Sequence, residues 1–306
     1  MKTFSIPGAS DAIRLELVVT RPVDEPKAIL QMVHGMAEYK DRYIPMMEYL
    51  SERGLVCVMH DLRGHGHSAA TPEDLGYMDK GGWRGMVQDV VCVTDWIKER
   101  YPGLPVFLFG HSMGSLIVRS YCKEHDGDIA GLIVCGSPSA NPAVGLGSAL
   151  AGTVRLFKGS RYRSPMLASL STGAYNRKFR KEGSPNAWIC SDPAVVEAYD
   201  KDPLCGFPFT ANGYAGLFGL MKDVYSPKGW GLAQPALPIR FIAGAEDPCI
   251  GSIRKFSAAV SFMRERGYRN VSSRIFPGMR HEIHNETGKE AVWDDIANTL
   301  GTWLDR

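Results

Sequence analysis

Ser112 stands in Gly110-His111-Ser112-Met113-Gly114, a serine with a glycine two residues away on each side. A serine hydroxyl becomes a useful nucleophile when a base takes its proton and donors receive the charge its attack creates. The glycine spacing suits a sharp strand-to-helix turn. There the neighbours must be small for the backbone to pass closely, and the hydroxyl is lifted clear of a sheet edge. The flanks fit that turn: Val106 to Phe109 is a short apolar run of strand character, and Ser115 to Cys122 has helical spacing. A helix N-terminus directs backbone N–H groups towards developing negative charge, so the amide of Met113 is the first candidate donor.

A base and an orienting acid must come from elsewhere in the chain. Two histidines fall late, His281 and His284, after the turn Pro277-Gly278-Met279-Arg280. His34, His65, His67 and His111 precede the serine, and turn hydrogen bonding and packing account for them. Glu246 and Asp247 follow the apolar run Ile239 to Ala243, with Asp223 a more distant acid. Such an acid holds the imidazole in the tautomer that accepts the serine proton and steadies the imidazolium that forms. Residue type and position alone leave both choices open.

The elements that must position these groups alternate. Strand-like runs at Leu15–Thr20, Ala28–Val33, Leu55–Met59, Val106–Phe109 and Leu132–Cys135 are separated by helical patterns at Tyr43–Leu50, Trp83–Tyr101 and Ser115–Cys122. Short turns between them predict a mostly parallel central sheet with helices on both faces. From Ser139 to Gln234 there is no convincing buried strand. Alternation returns with Ile239–Ala243, a helix over Arg254–Arg266, Ser273–Phe276 and a closing helix over Glu290–Leu304. The expected organisation is one α/β core from residues 1–138 and 235–306, interrupted by a mainly helical cap over 139–234. Two sequential domains fit less well, because the last strands and helices would make a thin domain.

Several segments resemble the monoacylglycerol lipase and lysophospholipase branch of the α/β hydrolases. They are the serine turn, His34-Gly35-Met36-Ala37-Glu38 with Arg42-Tyr43, Asp61-Leu62-Arg63-Gly64-His65-Gly66-His67-Ser68, Asp202-Pro203-Leu204-Cys205-Gly206, and His281-Glu282-Ile283-His284-Asn285-Glu286. The likeness spans nearly the whole chain and is weakest over 141–180. It implies the α/β-hydrolase fold, carboxylic ester hydrolysis through an acyl-enzyme on Ser112, and no cofactor. It selects His281 as base and Asp247 as acid, and makes the amide of Met36 the second oxyanion donor beside Met113. Proline iminopeptidases share the fold and triad. That alternative needs a cap carboxylate for the substrate amine, for which Glu182, Glu197 and Asp202 are equal candidates.

Bulk properties set the frame. With 35 basic and 33 acidic side chains in 306 residues the formal charge is +2, which argues against a nucleic-acid partner. No window approaches the roughly 20 apolar residues of a membrane span, and Met1 to Ala9 lacks the pattern of a secretory signal. The seven scattered cysteines have neither disulfide nor metal spacing, so a reducing cytoplasm and no metal site are expected. Cys249, two residues past Asp247, is a candidate for the acyl site. So are the cap aromatics Phe157, Tyr162, Tyr175, Trp188, Tyr199, Phe207, Phe209, Tyr214, Phe218 and Tyr225. Arg155, Lys158, Arg161, Arg163, Arg177, Lys178, Arg180 and Lys181 fall in one interval without an acid. They suggest peripheral contact of the cap with anionic lipid.

Overall fold

A computed structural model describes residues 1–10 and 13–305. Its strands are β1 (Lys2–Pro7), β2 (Arg14–Thr20), β3 (Ala28–Val33), β4 (Leu55–His60), β5 (Val106–His111), β6 (Gly131–Cys135), β7 (Ile239–Gly244) and β8 (Val271–Phe276). They form one sheet in the order β1-β2-β4-β3-β5-β6-β7-β8. β2 runs antiparallel to β1 and β4, and every other pair is parallel. The helices are α1 (Ile44–Ser51), α2 (Gly82–Arg100), α3 (Met113–His125), α4 (Val144–Lys158), α5 (Pro165–Ser171), α6 (Pro193–Lys201), α7 (Ala211–Val224), α8 (Ile253–Glu265) and α9 (Glu290–Leu304).

Why the central strands are continuous apolar runs is visible in the two cores. Ile29 and Val33 of β3, Val56 and Val58 of β4, and Val106 and Leu108 of β5 enter one cluster, with Val90 and Ile97 of α2 and Leu116 of α3. The alternate residues Leu30 and Met32, Cys57 and Met59, and Phe107 and Phe109 enter the other, with Met47 of α1 and Val292, Ile296 and Leu300 of α9. Strands covered on both faces are apolar nearly throughout; the buried Gln31 of β3 is satisfied by donating to Val90 O at 2.9 Å. The edges obey a different rule. β1 is mostly exposed, and Ser272, Ser273 and Arg274 of β8 face solvent. The apolar-run reading therefore misses β1 entirely and the first two residues of β8, Val271 and Ser272.

β6 and β7 are hydrogen-bonded neighbours, Leu132↔Ile239 to Cys135↔Ile242, although α4 to α7 lie between them in the chain. Among the described residues this long crossover contains no strand. Ala151 of α4, Leu167 of α5, and Tyr214 and Leu220 of α7 join the larger core cluster. α7 packs against both α2 and α3, so its apolar face extends the helical layer. Ile189, Cys190, Val196, Tyr199 and Cys205 make a small core of their own. Among the described residues no helix is long and apolar enough to cross a membrane.

Candidate active site

Ser112 sits between the end of β5 and the first residue of α3, at φ 52° and ψ −118°. This is a strained conformation for a residue with a side chain. Two glycines let the chain through. A Cβ on Gly110 would lie 2.5 Å from Gly114 O, and one on Gly114 would lie 2.2 Å from Val33 O. Ser112 N–H donates to Cys135 O at 2.9 Å, which ties the turn to the end of β6.

The loops after β7 and β8 run side by side, with Glu246 N–H donating to Met279 O at 2.9 Å. They bring Asp247 and His281 to the serine. His281 Nε2 lies 2.8 Å from Ser112 Oγ, and His281 Nδ1 lies 3.0 Å from each Asp247 carboxylate oxygen. Asp247 Oδ1 also accepts from Cys249 N–H at 2.8 Å. All three side chains belong to buried residues. The geometry fits a tautomer in which Nδ1–H donates to Asp247 and Nε2 accepts from the serine hydroxyl. Burial opposes a charge on His281, but the charge and hydrogen bond of Asp247, with Glu282 and Glu38, outweigh it and hold the imidazole above its usual range.

The other candidates lie elsewhere. His284 stacks on Tyr43 with centroids 4.4 Å apart, and neither ring nitrogen has a hydrogen-bond partner among the described residues. Burial, then His111, pushes it well below the usual histidine range. Glu246 is bound to Lys178 at 2.9 Å, and Asp223 to Lys123 and Ser120.

The loop after β3 carries Met36 to the same rim. His34 holds it from one side: Nδ1 donates to Gly35 O and Nε2 accepts from Leu62 N–H, each at 2.9 Å. Burial pushes His34 down to about 4, so it is neutral and can do both. Glu38 holds it from the other, accepting from Gly35 N–H at 2.6 Å and Tyr43 OH at 2.9 Å, and lying 3.0 Å from His111 Nδ1. Burial alone would raise the Glu38 carboxyl, yet His111 and Arg42 hold it well below the usual range. Arg42 bonds Glu38 at 3.0 Å and forks onto Glu282 at 2.7 and 2.6 Å. The guanidinium therefore joins the Met36 loop to the His281 loop. Both motif segments are visible in the sequence, but no role for Glu38, Arg42 or Glu282 follows from it. Three charged residues inside two such segments were the available signal.

Above Ser112 is a cavity of about 280 Å³. Met36, Met113, Cys249 and His281 line its floor, and Leu146, Leu150, Leu170, Phe207, Tyr214 and Phe218 part of its walls. Of the other aromatics singled out by sequence, Tyr175, Trp188 and Tyr199 also line it. Phe209 is buried in the core, Phe157 and Tyr162 are exposed, and Tyr225 lies under the Arg119 guanidinium. The basic group divides too. Arg161 pairs with Asp74 and Lys178 with Glu246, while Arg163 donates to the carbonyls of Glu73, Leu75 and Pro208. Among the described residues there are two sets of potential metal-ligand side chains whose own ligand atoms lie within 4.8 Å of one another, Asp247–Cys249–His281 and His111–Cys135–His284. The first is already engaged in the serine–histidine–aspartate hydrogen bonds.

A mostly parallel sheet with a serine turn after β5, and its acid and histidine on the loops after β7 and β8, defines an α/β hydrolase. The model of the family described as serine aminopeptidase, S33, matches residues 24–288, and the chain belongs to that family. At this level it is a serine hydrolase of the esterase and lipase kind. It is 25% identical over 293 residues to the monoacylglycerol lipase of Mycolicibacterium smegmatis, covering 95% of this chain and 94% of the relative. It is 27% identical over 280 residues to phospholipase YtpA of Bacillus subtilis, covering 90% and 95%. A solved structure of a thermostable carboxyl esterase from Bacillus coagulans, in complex with glycerol, superposes with a TM-score of 0.92 at 26% identity, covering 99% and 98%.

Proposed function

We propose that the protein is a carboxylesterase that cleaves a single-chain acyl ester, a monoacylglycerol or lysophospholipid, through an acyl-Ser112 intermediate. The observation that carries this reading is the 2.8 Å contact between Ser112 Oγ and His281 Nε2 at the floor of a cavity walled by leucine and aromatic side chains. His281 takes the serine proton as Oγ attacks the ester carbonyl, and Asp247 steadies the imidazolium at Nδ1. The backbone N–H groups of Met36 and Met113 receive the oxyanion, a role worth about 3–4 kcal/mol per donor. His281 then protonates the leaving alcohol. Water, deprotonated by the same imidazole, releases the acid.

The peptidase alternative, which the family description also names, needs a carboxylate for the substrate ammonium. Glu182 pairs with Arg280, Glu197 with Lys201, and Asp202 accepts from Tyr39 OH. Among the described residues the acids lining the cavity are Glu38 and Glu282, both engaged by Arg42. That favours an ester. A panel of acyl esters of varied chain length and head group, run beside aminoacyl arylamides and Ser112→Ala, tests the choice. Arylamide cleavage exceeding ester cleavage, or an undiminished Ser112→Ala, refutes it.

The same surface supports peripheral contact with anionic lipid. Leu146 and Leu170 line the cavity yet are 66% and 55% exposed, and Leu156 and Phe157 on α4 are 79% and 77% exposed. Arg155 and Lys158 flank them, each worth about 1 kcal/mol at an anionic surface. Co-sedimentation should be stronger with phosphatidylglycerol-containing vesicles than with neutral ones, and weaker for Leu156→Ser with Phe157→Ser. Equal binding to both vesicle types removes the electrostatic part.

A further inference from the structure

The imidazole of His281 is fixed at its two nitrogens by Asp247 and Ser112, and two aromatic rings pack against it. One is His111, from the end of β5, with centroids 4.7 Å apart. The other is Trp188, from the β6–β7 crossover, with centroids 4.9 Å apart and planes inclined by 39°. Trp188 is held in place from several directions. Arg280 donates to the carbonyls of Ala187 and Cys190 at 2.6 and 3.0 Å, and Glu282 N–H donates to Ile189 O at 2.7 Å. The residues on either side of Trp188 are thus bonded to the residues on either side of His281. Behind the indole lies the Tyr175 ring at 5.0 Å, its hydroxyl 3.7 Å from Cys249 Sγ.

We propose that Trp188 is a positioning residue for His281: the crossover presents an indole to the imidazole, limits its rotation, and favours the imidazolium that forms when Ser112 gives up its proton. This rests on the reading of His281 as the base. The physical reason is the negative potential over an indole face, which attracts a cation and hardly distinguishes a neutral ring. The contact is therefore stronger after proton transfer than before it, which is the condition for accelerating the step. A side chain of similar bulk without the π-face would fill the space and lose that preference. Titratable groups around the imidazole, among the described residues, include Asp247, Glu282, Glu38, His111, His284 and Cys249. Substitution at Trp188 leaves all of them in place.

The test uses the full chain as wild type, Trp188→Leu, Trp188→Phe, Ser112→Ala and His281→Gln. Two quantities are followed against pH: the rate of covalent labelling by a fluorophosphonate, and indole emission. The emission of Trp188 among the six tryptophans is isolated as wild type minus Trp188→Phe. Labelling should fall about 2- to 30-fold in Trp188→Leu, the range of a cation–π contact, and less in Trp188→Phe, which keeps a ring. The acid limb of Trp188→Leu should move to lower pH, because its imidazolium is less favoured. Trp188 emission should rise with pH at the same midpoint as labelling, since an imidazolium quenches an indole, and should not titrate in the His281→Gln background. Unchanged labelling and acid limb in Trp188→Leu, or Trp188 emission that ignores His281, overturns the proposal. If Trp188→Leu does not fold, Trp188→Phe and the emission titration still decide. A wild type that fails to label, or a Ser112→Ala that labels equally, instead refutes the serine–histidine reading and takes this proposal with it.

Discussion

Replacing Arg42 by methionine removes one cation and strands two carboxylates. Glu38 and Glu282 are only 2% and 3% exposed, so neither can turn to water without moving a loop. Three charge-assisted hydrogen bonds disappear, one to Glu38 and two to Glu282. Glu38 keeps Gly35 N–H, Tyr43 OH and the 3.0 Å contact with His111 Nδ1, whereas Glu282 keeps a 2.9 Å bond from Asn285. Breaking a buried pair by deleting one partner costs about 3–5 kcal/mol, a large part of the roughly 5–15 kcal/mol that holds a domain folded. The retained donors point to the lower end of the first range. The loss should depend on pH with a definite sign. The Glu38 carboxyl is depressed in the native state, so its stabilisation is present above the ordinary carboxylate range and is lost as pH falls through it. In Arg42→Met the Glu38 carboxyl keeps His111 but loses another of the groups that hold it down, so it takes up a proton more readily and the gap from wild type should shrink as pH falls towards the ordinary carboxylate range. Equilibrium urea unfolding at neutral and mildly acidic pH measures this. Arg42→Met combined with Glu282→Gln should recover part of the loss, with a coupling of about 0.5–3 kcal/mol. A neutral-pH loss below about 1 kcal/mol, the level of an exposed pair, or a loss that does not change with pH, would mean that Arg42 does not hold the two buried carboxylates.

Gly114→Ala places a methyl 2.2 Å from Val33 O. It should destabilise by about 1–3 kcal/mol or more and lower ester hydrolysis beyond what the unfolded fraction explains. Thermal unfolding beside active-site titration checks both, and an alanine variant of unchanged stability and rate counts against the close passage. With His281 as the proposed base, hydrolysis needs a neutral imidazole, and Asp247, with Glu282 and Glu38, holds that imidazole above the ordinary histidine range against the effect of burial. The kcat/KM profile should therefore rise with pH through a midpoint above 6.5, and in Asp247→Asn the residual activity should persist to lower pH. A wild-type midpoint well below 6.5 contradicts the Asp247 contribution.

From the sequence alone came the serine turn and the inner sheet. Gly110 and Gly114 declare a close backbone passage through their type and spacing. β3 to β7 declare themselves through apolar runs, because each is covered on both faces. β1 and the start of β8 were not legible, because an edge strand carries polar residues on its open side and loses the pattern. The sequence also marked late histidines and carboxylates, and resemblance chose among them. Local pattern could not, because His281 and His284 are three residues apart and both are buried.

Only the tertiary structure showed that Asp247 and Ser112 meet the first of these histidines while Tyr43 covers the second. It also revealed the Glu38–Arg42–Glu282 link, which spans two loops far apart in the chain, and paired two of the cations of 155–181, Arg161 with Asp74 and Lys178 with Glu246. Trp188 reached His281 the same way, through a crossover that leaves the sheet after β6 and returns at β7. The physical reason is common to all of these. A hydrogen bond or ring contact depends on distances of a few ångströms, and between residues distant in the chain those distances are set by how the loops pack on the finished sheet.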